Sequence, residues 1–100
     1  MKKIIKQTLK EQVSDTYFDT FSSAVQYARQ QSEDKGYVID ENDWWIEVTT
    51  GPGRPKEGQT TRMTVGLNKD DKPQKKALHM QVYNMGNEYR NKFELNYYIS

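Results

Sequence analysis

The sequence contains no cysteine. That excludes disulfides, zinc ribbons and thiol catalysis, and it fits a reducing compartment. Long apolar runs are missing too, since nothing approaches the ~20 residues that span a bilayer. The basic start Met1-Lys2-Lys3-Ile4-Ile5-Lys6 resembles the head of a signal peptide. Gln7, Thr8, Lys10, Glu11 and Gln12 interrupt the apolar stretch that should follow. The expectation is a cytoplasmic protein with no membrane contact.

Charge of one sign is scarce. The net is +1 although 29% of residues are charged, which argues against a polyanion or a strongly basic nucleic-acid binder. Apolar residues are scarce as well. They make up 34%, and even with the glycines added the chain falls below the roughly 45–50% of an ordinary globular protein. One hundred residues suit a single domain over 1–100 with a thin core, one helix on one sheet.

What the chain does have is aromatic residues, twelve per cent of the total, and alternation. Four runs alternate apolar with polar residues: Trp44–Thr49, Arg62–Leu67, Leu78–Tyr83 and Phe93–Ile99. Side chains on a strand point to opposite faces at period two, so these read as strands of one antiparallel sheet. Its inward set is expected to be Ile46, Val48, Met63, Val65, Leu67, Leu78, Met80, Val82, Phe93, Leu95, Tyr97 and Ile99. Ahead of them, Phe18, Phe21, Val25 and Ala28 recur at three-to-four spacing, the stripe of an amphipathic helix over about residues 17–34. Asp15, Thr16, Asp19 and Thr20 all offer N-cap oxygens, and Gly36 is the natural stop. Residues 1–12 read either as a flexible segment or as an edge strand. The predicted fold is α+β, one amphipathic helix packed on a four- to five-stranded, mainly antiparallel sheet.

Tyr37-Val38-Ile39 reads as a brief extended piece, and Asp40-Glu41-Asn42-Asp43 as a solvated turn. The latter fails as a calcium loop, because it has no glycine at the sixth position and Gly51 stands at the twelfth. Gly51–Gly58 is the most loop-like stretch. It lacks the Gly-Lys-Ser/Thr ending of a phosphate-binding loop and should project as an arm or fold over a sheet edge. Charge is unevenly placed: residues 1–10 carry +4, residues 11–50 carry −7, and residues 51–100 carry +4.

One helix covers one face of such a sheet, leaving a second face for solvent or a partner. Trp45, Arg62, Tyr83 and Tyr98 are expected there, with Arg54 on the neighbouring loop. Aromatics and arginine are the residue types that dominate interface energetics. His79 is the single histidine and shares that face. With Glu47 or Glu94 it could move a proton, but a lone strand histidine is more often a hydrogen-bonded surface group. No serine sits in a nucleophile-elbow setting. The reading is therefore a non-enzymatic protein without cofactor or metal.

The order Phe21…Ala24…Tyr27-Ala28, Gly36-Tyr37, Asp43-Trp44, Thr50-Gly51-x-Gly-Arg54-Pro55, Gln81-Val82-Tyr83-Asn84 and Glu94-Leu95-Asn96-Tyr97-Tyr98-Ile99 resembles small accessory proteins of tailed bacteriophages. No activity attaches to that resemblance, and it transfers no functional residues. It implies a compact, non-catalytic protein that binds a host or virion protein in the host cytoplasm. The alternative is a single-stranded nucleic-acid binder using the same aromatic and basic face. A third possibility is a homodimer that buries this face in a twofold contact; otherwise the protein is a monomer.

Overall fold

Helix α1 (Phe21–Asp34) starts where Thr20 leaves extended backbone and its Oγ1 accepts the Ser23 N–H at 3.0 Å. This is an N-cap that satisfies one orphan donor of the first turn. The helix ends in a Schellman motif: Gly36 N–H donates to Glu33 O at 2.9 Å and Tyr37 N–H to Ser32 O at 3.2 Å. Gly36 sits at φ +92°, a conformation that favours glycine. Of the four N-cap candidates Thr20 is the one used, so the helix begins later than the expected residue 17. Tyr17 and Phe18 instead form a short strand, β1. The computed structural model describes residues 16–69 and 72–100; the expected N-terminal segment 1–12 lies outside them.

After β2 (Val38–Ile39), the chain departs from the expected strand over Trp44–Thr49. Residues Glu41–Trp44 form helix α2, and Trp45–Thr49 continue it as a π-helical turn. The cause is local. Asp40 caps the helix, its Oδ1 accepting the Asp43 N–H at 3.1 Å, and Glu41 and Asp43 lie in the first turn, where acidic groups interact favourably with the helix dipole. Trp44 and Val48 are buried whereas Ile46 is 51% exposed. Positions i and i+4 fit both a helix and a strand, and only the middle residue tells them apart. The π-turn closes with Thr50 N–H on Trp45 O at 2.8 Å. Gly51 then passes so close to the Glu47 carbonyl that a Cβ there would lie 2.2 Å from its oxygen.

The remaining strands are β3 (Thr60–Lys69), β4 (Lys72–Asn84) and β5 (Phe93–Ile99). They form one antiparallel sheet in the order β1-β5-β4-β3-β2. The β3–β4 pairing runs to Lys69 opposite Lys72, with a bulge between Gly66 and Asn68. The architecture is the expected α+β with five strands, but two short helices replace the single one.

α1 packs on the inner face against β4 and β5. Its Ala24, Val25 and Ala28 meet Met63, Val65, Leu67, Leu78, Met80, Val82, Phe93 and Leu95 in one cluster, which Ile39, Trp44 and Val48 complete. Each large apolar side chain fully buried here contributes about 1.5–3 kcal/mol. Phe18, Phe21, Tyr27, Tyr37, Tyr97 and Ile99 pack on its margin. The principal extents of 42 × 31 × 16 Å describe a slab, in keeping with one helical layer on one sheet.

Candidate functional site

The alternation that buries Met63, Met80 and Leu95 turns their neighbours to the other side, and the register sorts these into cross-strand rows. Thr60 faces Tyr83, which faces Glu94, which faces Tyr17. Arg62 faces Gln81, which faces Asn96, and Thr64 faces His79, which faces Tyr98. α1 packs on the opposite face. Arg62, Tyr83, Asn96 and Tyr98 are exposed, Tyr98 at 55%. Three sequence-chosen residues, Arg62, Tyr83 and Tyr98, thus share one surface.

His79 holds the third row in place. Its Nδ1 lies 3.2 Å from Thr64 Oγ1 and its Nε2 3.1 Å from Ser100 Oγ. Its ring stacks on Tyr98 with centroids 4.7 Å apart at 20°, an offset arrangement worth about 0.5–1.5 kcal/mol beyond burial. Both ring nitrogens meet hydroxyls. Glu94 stands four residues along β5 from Tyr98, about 13 Å at ~3.3 Å per residue, and Glu47 lies on the π-turn. The His–Glu pair that could have moved a proton is therefore not assembled. Among the described residues no group of three or more histidine, aspartate or glutamate side chains is gathered as metal ligands.

Trp45 and Arg54 stand elsewhere. Trp45 is 59% exposed, but it belongs to the π-turn that follows α2 rather than to a strand, so its expected place beside Arg62 is corrected. α2 is anchored to α1 instead. Arg29 bonds both Glu41 carboxylate oxygens, with Nη1 at 3.1 Å from Oε1, and Glu33 at 3.1 Å. Its guanidinium lies 5.0 Å from the Trp44 ring centre. The Glu41 hydrogen bond, followed by that of Glu33, raises the Arg29 pKa against the lowering effect of burial.

The Gly51–Gly58 segment does not project. The Thr61 hydroxyl donates to Gly53 O at 2.7 Å, and Asn84 Nδ2 donates to Pro55 O at 3.0 Å. Thr61 and Asn84 alternate with Arg62 and Tyr83, so both belong to the inner face. The loop is therefore tied to the inner side of the sheet, the face opposite to that of Arg62. There Arg54 shares a cleft with Lys56, Glu57, Asn84, Asn87 and Lys92. No spacing signal in the sequence links these residues to Arg54.

Compared with protein-family models, curated proteins and solved structures, the chain finds no match. Among the described residues no helix is long and apolar enough to cross a membrane.

Proposed function

We propose that the protein is a non-catalytic binding module whose uncovered sheet face takes up a segment of a partner protein. The observation that carries this reading is an aromatic surface with balanced charge. Tyr83, Tyr98 and Arg62 stand exposed on one face, and Glu94, in the row next to that of Arg62, carries the opposite charge. Aromatic and arginine side chains supply the anchors of protein contacts. Phosphate-driven binding needs an excess of cations, and among the described residues of this face Arg62 is matched by Glu94, which sets single-stranded nucleic acid behind a protein partner.

Size also guides the choice. Seven residues along β3 at ~3.3 Å each and three strands at ~4.8 Å each span about 23 × 14 Å. A standard interface buries about 800 Å² per partner, so this face matches a peptide-sized or transient contact. The proposed setting is a tailed bacteriophage or related mobile element, acting in the host cytoplasm, and it rests on the residue pattern alone.

The test is capture with the wild-type protein and with an Arg62→Ala/Tyr98→Ala variant as baits, alongside circular dichroism. Loss of a discrete protein partner in a folded variant supports the reading. Uptake of a mixed-sequence oligonucleotide that fades as salt rises would replace it with the nucleic-acid reading.

A further inference from the structure

Arg54, Lys56 and Lys92 line a cleft of about 320 Å³ whose walls are the Gly51–Gly58 loop and the turn between β4 and β5. Asn84 joins the two walls. Its Nδ2 donates to Pro55 O at 3.0 Å, and its Oδ1 accepts the Gly86 N–H at 2.9 Å. Gly58 N–H on Asn84 O at 2.8 Å and Met85 N–H on Lys92 O at 2.8 Å fix the backbones on either side. Asn84 is buried with both ends of its amide occupied, so the cleft is held open by the protein's own bonds. Such preorganisation lowers the cost of binding.

Three cations meet one carboxylate, Glu57, in this cleft, a formal local charge of +2. Lys92 Nζ donates to Asn87 Oδ1 at 2.7 Å, a neutral acceptor. The ion pairs among the described residues belong to Arg29, so Arg54 and Lys56 face the cleft without a carboxylate of their own. Like charges gathered in a concavity focus a field that attracts an anion. No aromatic ring lines the cleft, and Pro55 is its one apolar residue. That composition does not suit a stacked base or an apolar ligand.

We infer that this cleft binds a phosphoryl dianion, supplied by a small phosphomonoester or by free phosphate. A dianion balances the local +2 charge, whereas a carboxylate would balance half of it. An arginine fork can grip two phosphoryl oxygens while lysines act as point charges beside it. The site lies across the sheet from Arg62, Tyr83 and Tyr98, so it stands or falls apart from the reading of that face.

The test follows backbone amide resonances of the full chain, at a pH where phosphate is dianionic. Inorganic phosphate and glycerol phosphate are titrated separately through the millimolar range, with acetate, and with chloride at matched ionic strength. The expected result is saturable shifts confined to residues 54–57 and 84–92, with phosphate at least about tenfold tighter than acetate. Tighter binding of the ester marks a phosphomonoester as the ligand, and binding of inorganic phosphate alone marks the free ion. Arg54→Ala/Lys56→Ala, and separately Lys92→Gln, should each weaken binding about tenfold or more with the remaining spectrum unchanged. Shifts that fail to saturate, that chloride or acetate reproduces, or that persist in both folded variants would overturn the inference.

Discussion

The Asp43 carboxylate accepts the backbone N–H of Gly66 at 3.0 Å. Next to it, Asp40 N–H donates to Gly66 O at 3.0 Å. Strand β2 ends at Ile39, and these two bonds satisfy the exposed edge of β3 where strand pairing stops. They satisfy both backbone groups of Gly66, on a strand edge that would otherwise offer them to another chain. Asp43→Ala should lower stability by about 1–3 kcal/mol, the cost of leaving a donor unsatisfied at a half-buried site. Urea unfolding checks it. Gly66→Ala should be damaging in the same assay, because an added Cβ would lie 2.9 Å from Asp43 Oδ2.

Ile46 and Val48 separate the helical account of residues 44–49 from the strand account. Ile46→Ser should change stability by less than about 0.5 kcal/mol, as exposed substitutions do. Val48→Ala removes buried methyl groups and should cost about 1–2 kcal/mol. Equal, large losses at both positions in thermal or urea unfolding would favour a two-residue period.

Gly51 allows the exit from the π-turn. Gly51→Ala sets a methyl group against the Glu47 backbone carbonyl, which has no flexible end to swing aside. The expected loss is about 1–3 kcal/mol, the range for overpacking, with perturbed amide resonances over residues 44–51. An unchanged spectrum would contradict the close approach.

Arg29 and Glu41 join the two helices across a partly exposed gap. A double-mutant cycle with Arg29→Met and Glu41→Gln should return a coupling of about 0.5–1 kcal/mol, since solvent screens such a pair. Added salt should shrink it. A coupling near zero at low salt would leave Trp44, through its burial and its contact with the Arg29 guanidinium, to hold α2 to α1.

The residues that proved legible and those that did not differ for physical reasons. In Arg62–Leu67, Leu78–Tyr83 and Phe93–Ile99 the alternation spans enough residues for a helical period to fail, so strand and inward face both follow. In Trp44–Thr49 the buried pair, Trp44 and Val48, suits either period, and the Asp40-x-x-Asp43 cap is the sole local sign of a helix. Arg62, Tyr83 and Tyr98 meet because strand register carries them together. Arg54 was separated from them by the side chains of Thr61 and Asn84, which draw the loop to the inner face. No period in the chain encodes that long-range bond, nor the cleft it creates.

The central claim is that the uncovered face around Tyr98 contacts a partner protein. Its most direct test places the photo-crosslinking residue p-benzoylphenylalanine at position 98, and in a control at position 46, in the cell that makes the protein. Position 98 should give a discrete adduct with another protein on illumination, while position 46 on the π-turn gives none. An adduct at 46 alone, or an adduct at 98 consisting of nucleic acid or a second copy of this chain, would contradict the claim.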